Sequence, residues 1–326
     1  MVTTLAAPAQ PHFSERDIAM AQPCTFTGVY PILPTPFRDD ESPDFESLVR
    51  IIRFMGEVGV QGVTVVGVLG ESNRLLDRER AELIQAAVEA APVGLAVIVG
   101  VSHSGTGAAL ELARMAESLG ADGVMVAPLK EAVPSDDRVF EYFRRIADGI
   151  KIPIVAQDHP ASTEVHMSVP LLLRLVEEIP RIACLKEEAP PTPARIGALI
   201  DGMKQRRVPV LTGLGALYGL FDLERGSSGF NTGFAFPEVL LAMTRAAQAG
   251  DWPRANELFT RFLPLIVFEQ QPGVAIRKEL FRLRGLIDGA RVRHPGAGIT
   301  PAAAAQLRAV VERTLPGVDI TRPLAL

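Results

Sequence analysis

The chain has 326 residues, of which 48% are hydrophobic and 22% are charged, and its formal net charge is −5. This length and composition fit a globular protein with a large core, organised either as two domains or as one α/β barrel with an extension. Because lysines and arginines are dispersed through an acidic chain, nucleic acids and anionic membranes are not expected as partners. No apolar run approaches the length of a membrane span.

The N-terminal residues and the cysteines do not indicate a targeting segment, a disulfide or a metal site. Residues 1–23 are rich in Ala, Pro and Gln and are predicted to form a flexible leader, without the basic and apolar regions of a signal peptide. Cys24 and Cys184 provide neither a disulfide framework nor a metal-ligand spacing. A reducing, cytoplasmic setting is therefore expected, and neither a metal nor an organic cofactor is expected.

Apolar runs typical of buried parallel strands alternate with segments of helical periodicity along most of the chain. In the first helical segment, 45–58, Leu48, Ile51 and Met55 mark one face. Strands are predicted at 25–33, 62–68, 95–101, 123–127, 153–156, 183–185, 208–211 and 229–233. Helices are predicted between them at 45–58, 78–91, 107–119, 137–150, 170–179, 193–203 and 216–225.

Three turns of one form support a closed barrel. Residues 59–62, 120–123 and 226–229 each end a helix with a glycine and enter a strand through a second glycine. A glycine after a helix adopts the left-handed conformation at little cost. Such turns belong to the face opposite an active site, so the functional loops are expected at the carboxyl ends of the strands. The predicted fold is an α/β (β/α)8 TIM barrel.

The pattern becomes purely helical after residue 235, with helices predicted at 237–249, 253–268, 274–284 and 301–314. We therefore predict a barrel over residues 24–249 and a C-terminal helical extension over 250–326. The apolar cluster at 262–268 exceeds what one amphipathic face needs. It favours packing against the barrel or a partner subunit.

The segment 183–189 reads as a short buried strand that ends in a lysine and two glutamates. Burial disfavours the ammonium form of a lysine, and a desolvated amine can form a Schiff base with a ketone. The alternative is a strand that has reached the surface, with Lys186 and Glu187 solvated. The segment alone leaves both interpretations open.

Four motifs in order resemble those of the dihydrodipicolinate synthase / N-acetylneuraminate lyase family of Schiff-base barrels. The first strand ends in Thr35-Pro36-Phe37, and Gly67-Val68-Leu69-Gly70-Glu71 follows the second. Gln157-Asp158-His159-Pro160 follows the fifth, and Lys186-Glu187 ends the sixth. The resemblance covers about residues 25–315. It implies that Lys186 forms the imine, that no cofactor takes part, and that the protein is a homotetramer.

The departures from the family pattern concern proton transfer and carboxylate binding. Val68 and Leu69 replace two threonines that in the family bind the keto-acid carboxylate, although backbone N–H groups of the turn at 69–71 can still hold a carboxylate. Gly67, Val68, Leu69 and Gly70 are therefore kept as substrate-binding candidates. Gln157 replaces the family's catalytic tyrosine and cannot act as a general base. Ser162 replaces the synthase's substrate-binding arginine. Dihydrodipicolinate synthase activity is therefore not expected.

Glu188 is the candidate replacement for the missing proton shuttle. Residues two apart in a strand share a face, so Lys186 and Glu188 point inward together if the strand persists through residue 188. The alternative is that Glu188 caps the next helix or pairs with an arginine. His159 follows Gln157 on the same inferred face and is a candidate substrate contact or proton carrier. Further pocket candidates at strand ends are Asn231, His103 and Ser104.

These residues predict a lyase acting on a 2-keto acid. A Lys-x-Glu pair without the tyrosine resembles the 2-keto-3-deoxy sugar acid dehydratase branch, so dehydration of such an acid is favoured. The alternatives are an aldolase or synthase of the dihydrodipicolinate synthase or N-acetylneuraminate lyase type, and a non-catalytic keto-acid sensor. The glycines at 213–219 superficially suggest a dinucleotide loop, but their spacing does not fit that motif.

Overall fold

Eight parallel strands form a closed barrel in the computed structural model, which describes residues 24–130, 135–271 and 273–326. Neighbouring strands pair in the order β1-β8-β7-β6-β5-β4-β3-β2. A parallel bridge between Ile32 and Thr64 joins β1 to β2 and completes the circle. The predicted TIM barrel is confirmed, while the predicted leader at 1–23 lies outside the described residues. The strands are β1 Gly28–Val29, β2 Gly62–Val65, β3 Ala96–Gly100, β4 Gly123–Val126, β5 Ile154–Asp158, β6 Ile182–Glu187, β7 Val210–Thr212 and β8 Gly229–Phe230.

The observed strands differ in length from the predicted apolar runs, and for β1 and β6 the difference has a local reason. β1 has two regular residues, because Phe26 has a φ of 48° and Pro31 has no N–H to donate to a ladder. β6 runs to Glu187, two residues beyond the predicted end, because Gln157 and Asp158 of β5 pair with Lys186 and Glu187. The extension of β6 fixes the direction in which its last side chains point.

Helices connect the strands and cover the outside of the barrel. Gly59 and Gly120 have φ values of 81° and 86°, which confirms the left-handed turns predicted after these helices. A four-residue helix after β5 was not predicted from the sequence. The helices are α1 Phe45–Val58, α2 Asp77–Ala90, α3 Thr106–Ser118, α4 Asp136–Asp148, α5 Pro160–Thr163, α6 Val169–Glu178, α7 Thr192–Gly202, α8 Gly219–Glu224, α9 Pro237–Gln248, α10 Trp252–Phe268, α11 Gly273–Leu283 and α12 Pro301–Thr314.

Apolar side chains fill the barrel interior and the layer between the strands and helices. The interior cluster includes Tyr30, Met125, Cys184 and Leu211, all almost completely buried. Cys184 lies on the inner face below Lys186, where burial raises its pKa well above that of a free thiol. This filling leaves the carboxyl ends of the strands as the place for a polar site.

The last three helices follow the barrel helix α9. Arg284, just after α11, forms a buried ion pair with Glu238 of α9 and so ties this block to the barrel. The predicted boundary between residues 249 and 250 falls between α9 and α10; the division into two domains stays a prediction. Among the described helices, none is long and apolar enough to cross a membrane.

Candidate active site

The end of β6 places a lysine and a glutamate side by side. Glu188 continues the strand by one residue, because its N–H donates to the carbonyl of Asp158 at 3.0 Å. Lys186 and Glu188 therefore share the inner face, as the alternation of the strand predicts. Nζ of Lys186 lies 3.1 Å from Oε2 of Glu188, and the two side chains are 4% and 6% exposed. The surface-strand alternative, in which Lys186 and Glu187 are solvated, is thus wrong, since Glu187 is buried as well.

The carboxylate of Glu188 is held by three groups. Besides Lys186, Nε2 of Gln157 donates to Oε2 at 2.6 Å and the N–H of Leu214 donates to Oε1 at 2.8 Å. Burial raises the pKa of this carboxyl, but the positive charge of Lys186 and the donors outweigh it and leave the pKa below its usual range. A Cβ on Gly213 would lie 2.2 Å from Cγ of Glu188, so the loop after β7 needs glycine there.

His159 stands at the same mouth, immediately after β5. Its Nδ1 and Oγ of Ser162 are 2.6 Å apart. Burial lowers the pKa of His159, which favours the neutral imidazole. The hydrogen bond to Ser162 fixes the orientation of the ring within its loop, and the ring still lines the cavity.

The turn after β2 forms the opposite wall. Val66 and Glu71 bracket it with φ values of 55°, an uncommon conformation for residues other than glycine and one that needs support from its surroundings. Thr35 Oγ1 donates to the carbonyl of Gly70 at 2.6 Å. Within the described residues, the N–H groups of Leu69 and Gly70 donate no hydrogen bond, and Leu69 lines the cavity, where an anion can bind.

Glu71 supplies the support for this turn. Its carboxylate is buried and lies 2.5 Å from Nζ of Lys278 on α11 and 2.7 Å from Nη1 of Arg74. The N–H of Arg293 also donates to Glu71, at 2.9 Å. The C-terminal extension therefore holds the strained turn in place from outside the barrel.

One cavity at the carboxyl end of the strands brings many of these residues together. Six of the nine predicted site residues line it: Val68, Leu69, Gln157, His159, Lys186 and Glu188. Gly67 and Gly70 shape the turn behind Val68 and Leu69 without lining the cavity. The lining residues that the motifs did not indicate are Ile32, Met125, Leu214, Gly215, Thr232, Gly233, Gln270 and Arg277.

Three predicted pocket residues lie away from this lining. Nδ2 of Asn231 donates to the carbonyl of Tyr30 at 2.7 Å and to Thr64 at 3.0 Å, so the amide is engaged in the barrel wall. Oδ1 of Asn231 has no hydrogen-bond partner among the described residues, and a substrate contact from it stays a prediction. His103 and Ser104 are exposed after β3.

Glu187 points to the outer side of the strand, away from the cavity. It shares Arg195 of α7 with Asp158: Nε of Arg195 lies 3.2 Å from Glu187 and Nη2 lies 2.6 Å from Asp158. Burial raises the pKa of Asp158 to about 6. Burial and the neighbouring Asp158 raise the pKa of Glu187 to about 7. This outer cluster joins β5 and β6 to a helix and presents no group to the cavity.

Comparisons with known proteins agree with this architecture. A model of the dihydrodipicolinate synthetase family matches residues 25–314. The chain is 32% identical to L-2-keto-3-deoxyarabonate dehydratase of Azospirillum brasilense, over 89% of this chain and 94% of that protein. It is 30% identical to the 4-hydroxy-tetrahydrodipicolinate synthase of Methanothrix thermoacetophila, over 88% of this chain and 97% of that protein.

A solved structure of a dihydrodipicolinate synthase has the same fold as this chain. The crystal structure of dihydrodipicolinate synthase from Rhodopseudomonas palustris superposes with a TM-score of 0.85 at 34% identity, covering 90% of this chain and 99% of that chain. The resemblance inferred from the four motifs is therefore confirmed. The chain belongs to the dihydrodipicolinate synthetase family, whose members are lyases.

Proposed function

We propose that this protein dehydrates a 2-keto-3-deoxy sugar acid through an imine on Lys186, with Glu188 as the acid and base. The observation that carries the proposal is the 3.1 Å pairing of Lys186 with Glu188 inside the cavity. The cavity offers no tyrosine among its described lining residues, and Gln157 can orient a carboxylate but cannot exchange a proton with it.

The first half of the reaction needs a free amine. Glu188 takes a proton from the ammonium group of Lys186, and the amine attacks the C2 ketone. Glu188 returns that proton to the carbinolamine hydroxyl, which leaves as water, and an iminium remains on Lys186. A carboxylate whose pKa lies below its usual range is ionised at neutral pH and is therefore ready for the first transfer.

The second half removes water from C3 and C4. Glu188 takes a proton from C3, and the electron pair forms an enamine with the iminium as electron sink. The enamine expels the C4 hydroxyl, which accepts the proton from Glu188 and leaves as water. Hydrolysis of the imine then releases the product and restores Lys186. His159, as a neutral imidazole at the cavity wall, is placed to bind a hydroxyl of the substrate.

An aldolase or synthase activity is the second candidate, because synthases such as that of Methanothrix thermoacetophila match nearly the whole chain. Condensation of pyruvate with aspartate semialdehyde needs a cation for the second carboxylate, and the position expected to carry it is Ser162. Loss of one charge-assisted contact costs about 1.5–3 kcal/mol, and loss of the tyrosine costs a further factor of about 100 or more in rate. Dehydration is therefore the better supported reaction.

A substrate screen tests the proposal. The protein is incubated with a panel of 2-keto-3-deoxy sugar acids, and products are followed by mass spectrometry. Loss of one water is the expected result; cleavage to pyruvate and an aldehyde, or efficient condensation with aspartate semialdehyde, would replace the dehydratase assignment.

The homotetramer and the cytoplasmic location remain proposals. Light scattering at micromolar concentration tests the homotetramer.

A further inference from the structure

Arg277 of α11 brings a second cation into the cavity of Lys186. The side chain is buried, at 7% exposed, and lines the cavity together with Lys186 and Glu188. It comes from the C-terminal extension, about 90 residues further along the chain than Lys186. No strand-end motif points to it, and the mechanism proposed above does not use it.

The guanidinium of Arg277 stands beside the turn after β2. Leu69 and Arg277 pack together on Gly233: a Cβ on that glycine would meet Cδ1 of Leu69 at 2.0 Å and both Cδ and Nε of Arg277 at 3.3 Å. The next residue of α11, Lys278, pairs with Glu71 at the other end of the same turn. Two consecutive residues of α11 thus contact the turn that carries Val68 and Leu69.

The hydrogen bonding of Arg277 leaves donors available. Nε donates to Oε2 of Glu269 at 3.1 Å, and Oε1 of Glu269 accepts from the N–H of Ala235. Within the described residues, the Nη atoms of Arg277 donate no hydrogen bond to the protein. Burial raises the pKa of Glu269 to about 7, so its charge only partly offsets the guanidinium near neutral pH.

The charges around the cavity favour an anion. Its described lining contains two cations, Lys186 and Arg277, against the single carboxylate of Glu188. Val68 and Leu69 provide no hydroxyl donors where a keto-acid carboxylate is expected. The Nη atoms of Arg277, which donate to none of the described residues, present a fork that matches a carboxylate in two parallel hydrogen bonds.

We propose that Arg277 binds the C1 carboxylate of the 2-keto acid through its Nη atoms, together with the backbone N–H group of Leu69. This inference rests on the proposed function, since it takes the substrate to be a 2-keto acid joined to Lys186. The C-terminal extension then supplies a specificity-determining residue to the barrel. The site selects keto acids over the corresponding uncharged ketones and amides.

Pyruvate and pyruvamide separate this role from a structural one, because they differ in the carboxylate alone. Each is titrated against the protein with borohydride, and the adduct on Lys186 is measured by mass spectrometry. For Arg277→Gln, the pyruvate concentration at half-maximal adduct should rise about 10- to 100-fold, while that for pyruvamide stays near the wild-type value. For Arg277→Lys, the pyruvate concentration at half-maximal adduct should lie between those of the wild-type protein and Arg277→Gln. Arg282→Gln is the matched control, because Arg282 lies on the same helix and pairs with Glu279 outside the cavity.

Glu269→Gln should change pyruvate binding in the opposite direction to Arg277→Gln. It removes the carboxylate that competes for the guanidinium, so at pH 8 pyruvate should be trapped at a lower concentration than in the wild-type protein. An unchanged pyruvate titration in Arg277→Gln, or an equal loss for pyruvamide, would overturn the proposal. If the wild-type protein traps no keto acid, the imine assignment fails instead, and calorimetric titration of pyruvate into wild type and Arg277→Gln still decides whether Arg277 binds the carboxylate.

Discussion

The two faces of strands β5 and β6 carry similar carboxyl side chains, but the pKa values of these carboxyls are shifted in opposite directions. On the inner face, Glu188 is surrounded by a lysine and two donors, and its pKa is below the usual range. On the outer face, Asp158 and Glu187 share Arg195, and their pKa values are raised to about 6 and about 7. Glu187 and Glu188 are adjacent in the chain and both are almost completely buried.

The difference follows from the balance of charges and donors at each carboxylate. Glu188 has a cation of its own in Lys186, with Gln157 and Leu214 as additional donors. In the outer cluster one guanidinium serves two carboxylates, and each carboxylate disfavours ionisation of the other. Burial alone therefore does not identify a catalytic carboxylate. A catalytic carboxylate must also face a cavity and have its own cation and hydrogen-bond donors, as Glu188 does. Four predictions address this contrast.

The largest effect is expected for Lys186→Ala. Without the amine no imine forms, so dehydration should fall by a factor of about 10,000 or more, and borohydride should no longer add pyruvate to the peptide that contains residue 186. Turnover and intact-mass measurements check both. An adduct of undiminished yield in Lys186→Ala would move the imine to another lysine.

Glu188→Gln should separate imine formation from proton transfer. The amide keeps the shape and a hydrogen bond to the amine but cannot carry a proton, so turnover should fall by a factor of about 100 or more while pyruvate is still trapped on Lys186. Glu187→Gln is the matched control on the outer face and should stay within about threefold of wild-type turnover. Equal losses in the two variants would mean that the inner and outer faces do not differ in function.

Arg195→Met should affect stability rather than chemistry. Removing the shared guanidinium leaves two buried carboxylates without a cation, which should lower the free energy of unfolding by about 2 kcal/mol at pH 8. At pH 5 the loss should be smaller, because both carboxyls then take up protons. Urea denaturation at the two pH values measures this, and a loss that is the same at both would show that the carboxylates of the outer cluster are not the cause.

The smallest effect is a change of wild-type stability with pH. Carboxyls with raised pKa values bind protons more tightly in the folded than in the unfolded protein, so Asp158 and Glu187 contribute a decrease in the free energy of unfolding as pH rises from about 4 to about 7. Each pKa unit by which one of these carboxyls is raised corresponds to about 1.4 kcal/mol of this contribution. Glu187→Gln should flatten this dependence, whereas Glu111→Gln, at an exposed position, should not. A Glu187→Gln curve that runs parallel to the wild-type curve would contradict the raised pKa of Glu187.

The barrel and the inward pair of Lys186 and Glu188 were predictable from the sequence alone. Both follow from short-range periodicity: apolar runs alternate with helical segments, and residues two apart in a strand face the same way. The turns at Gly59 and Gly120 were predictable for the same reason, since the left-handed conformation after a helix is a local demand that glycine meets. The strand ends were less predictable, because pairing with Asp158 extends β6 beyond its apolar run.

The distant side chains that reach these strand ends became known from the three-dimensional packing of the chain. Arg277 and Lys278 arrive from α11, Arg195 joins Asp158 to Glu187, and the amide of Asn231 turns into the barrel wall. Nothing in the local pattern around these residues encodes their partners. Long polar side chains on helices mostly lie in solvent, and whether one becomes a buried ion pair or a cavity cation depends on how the helix packs over the barrel mouth.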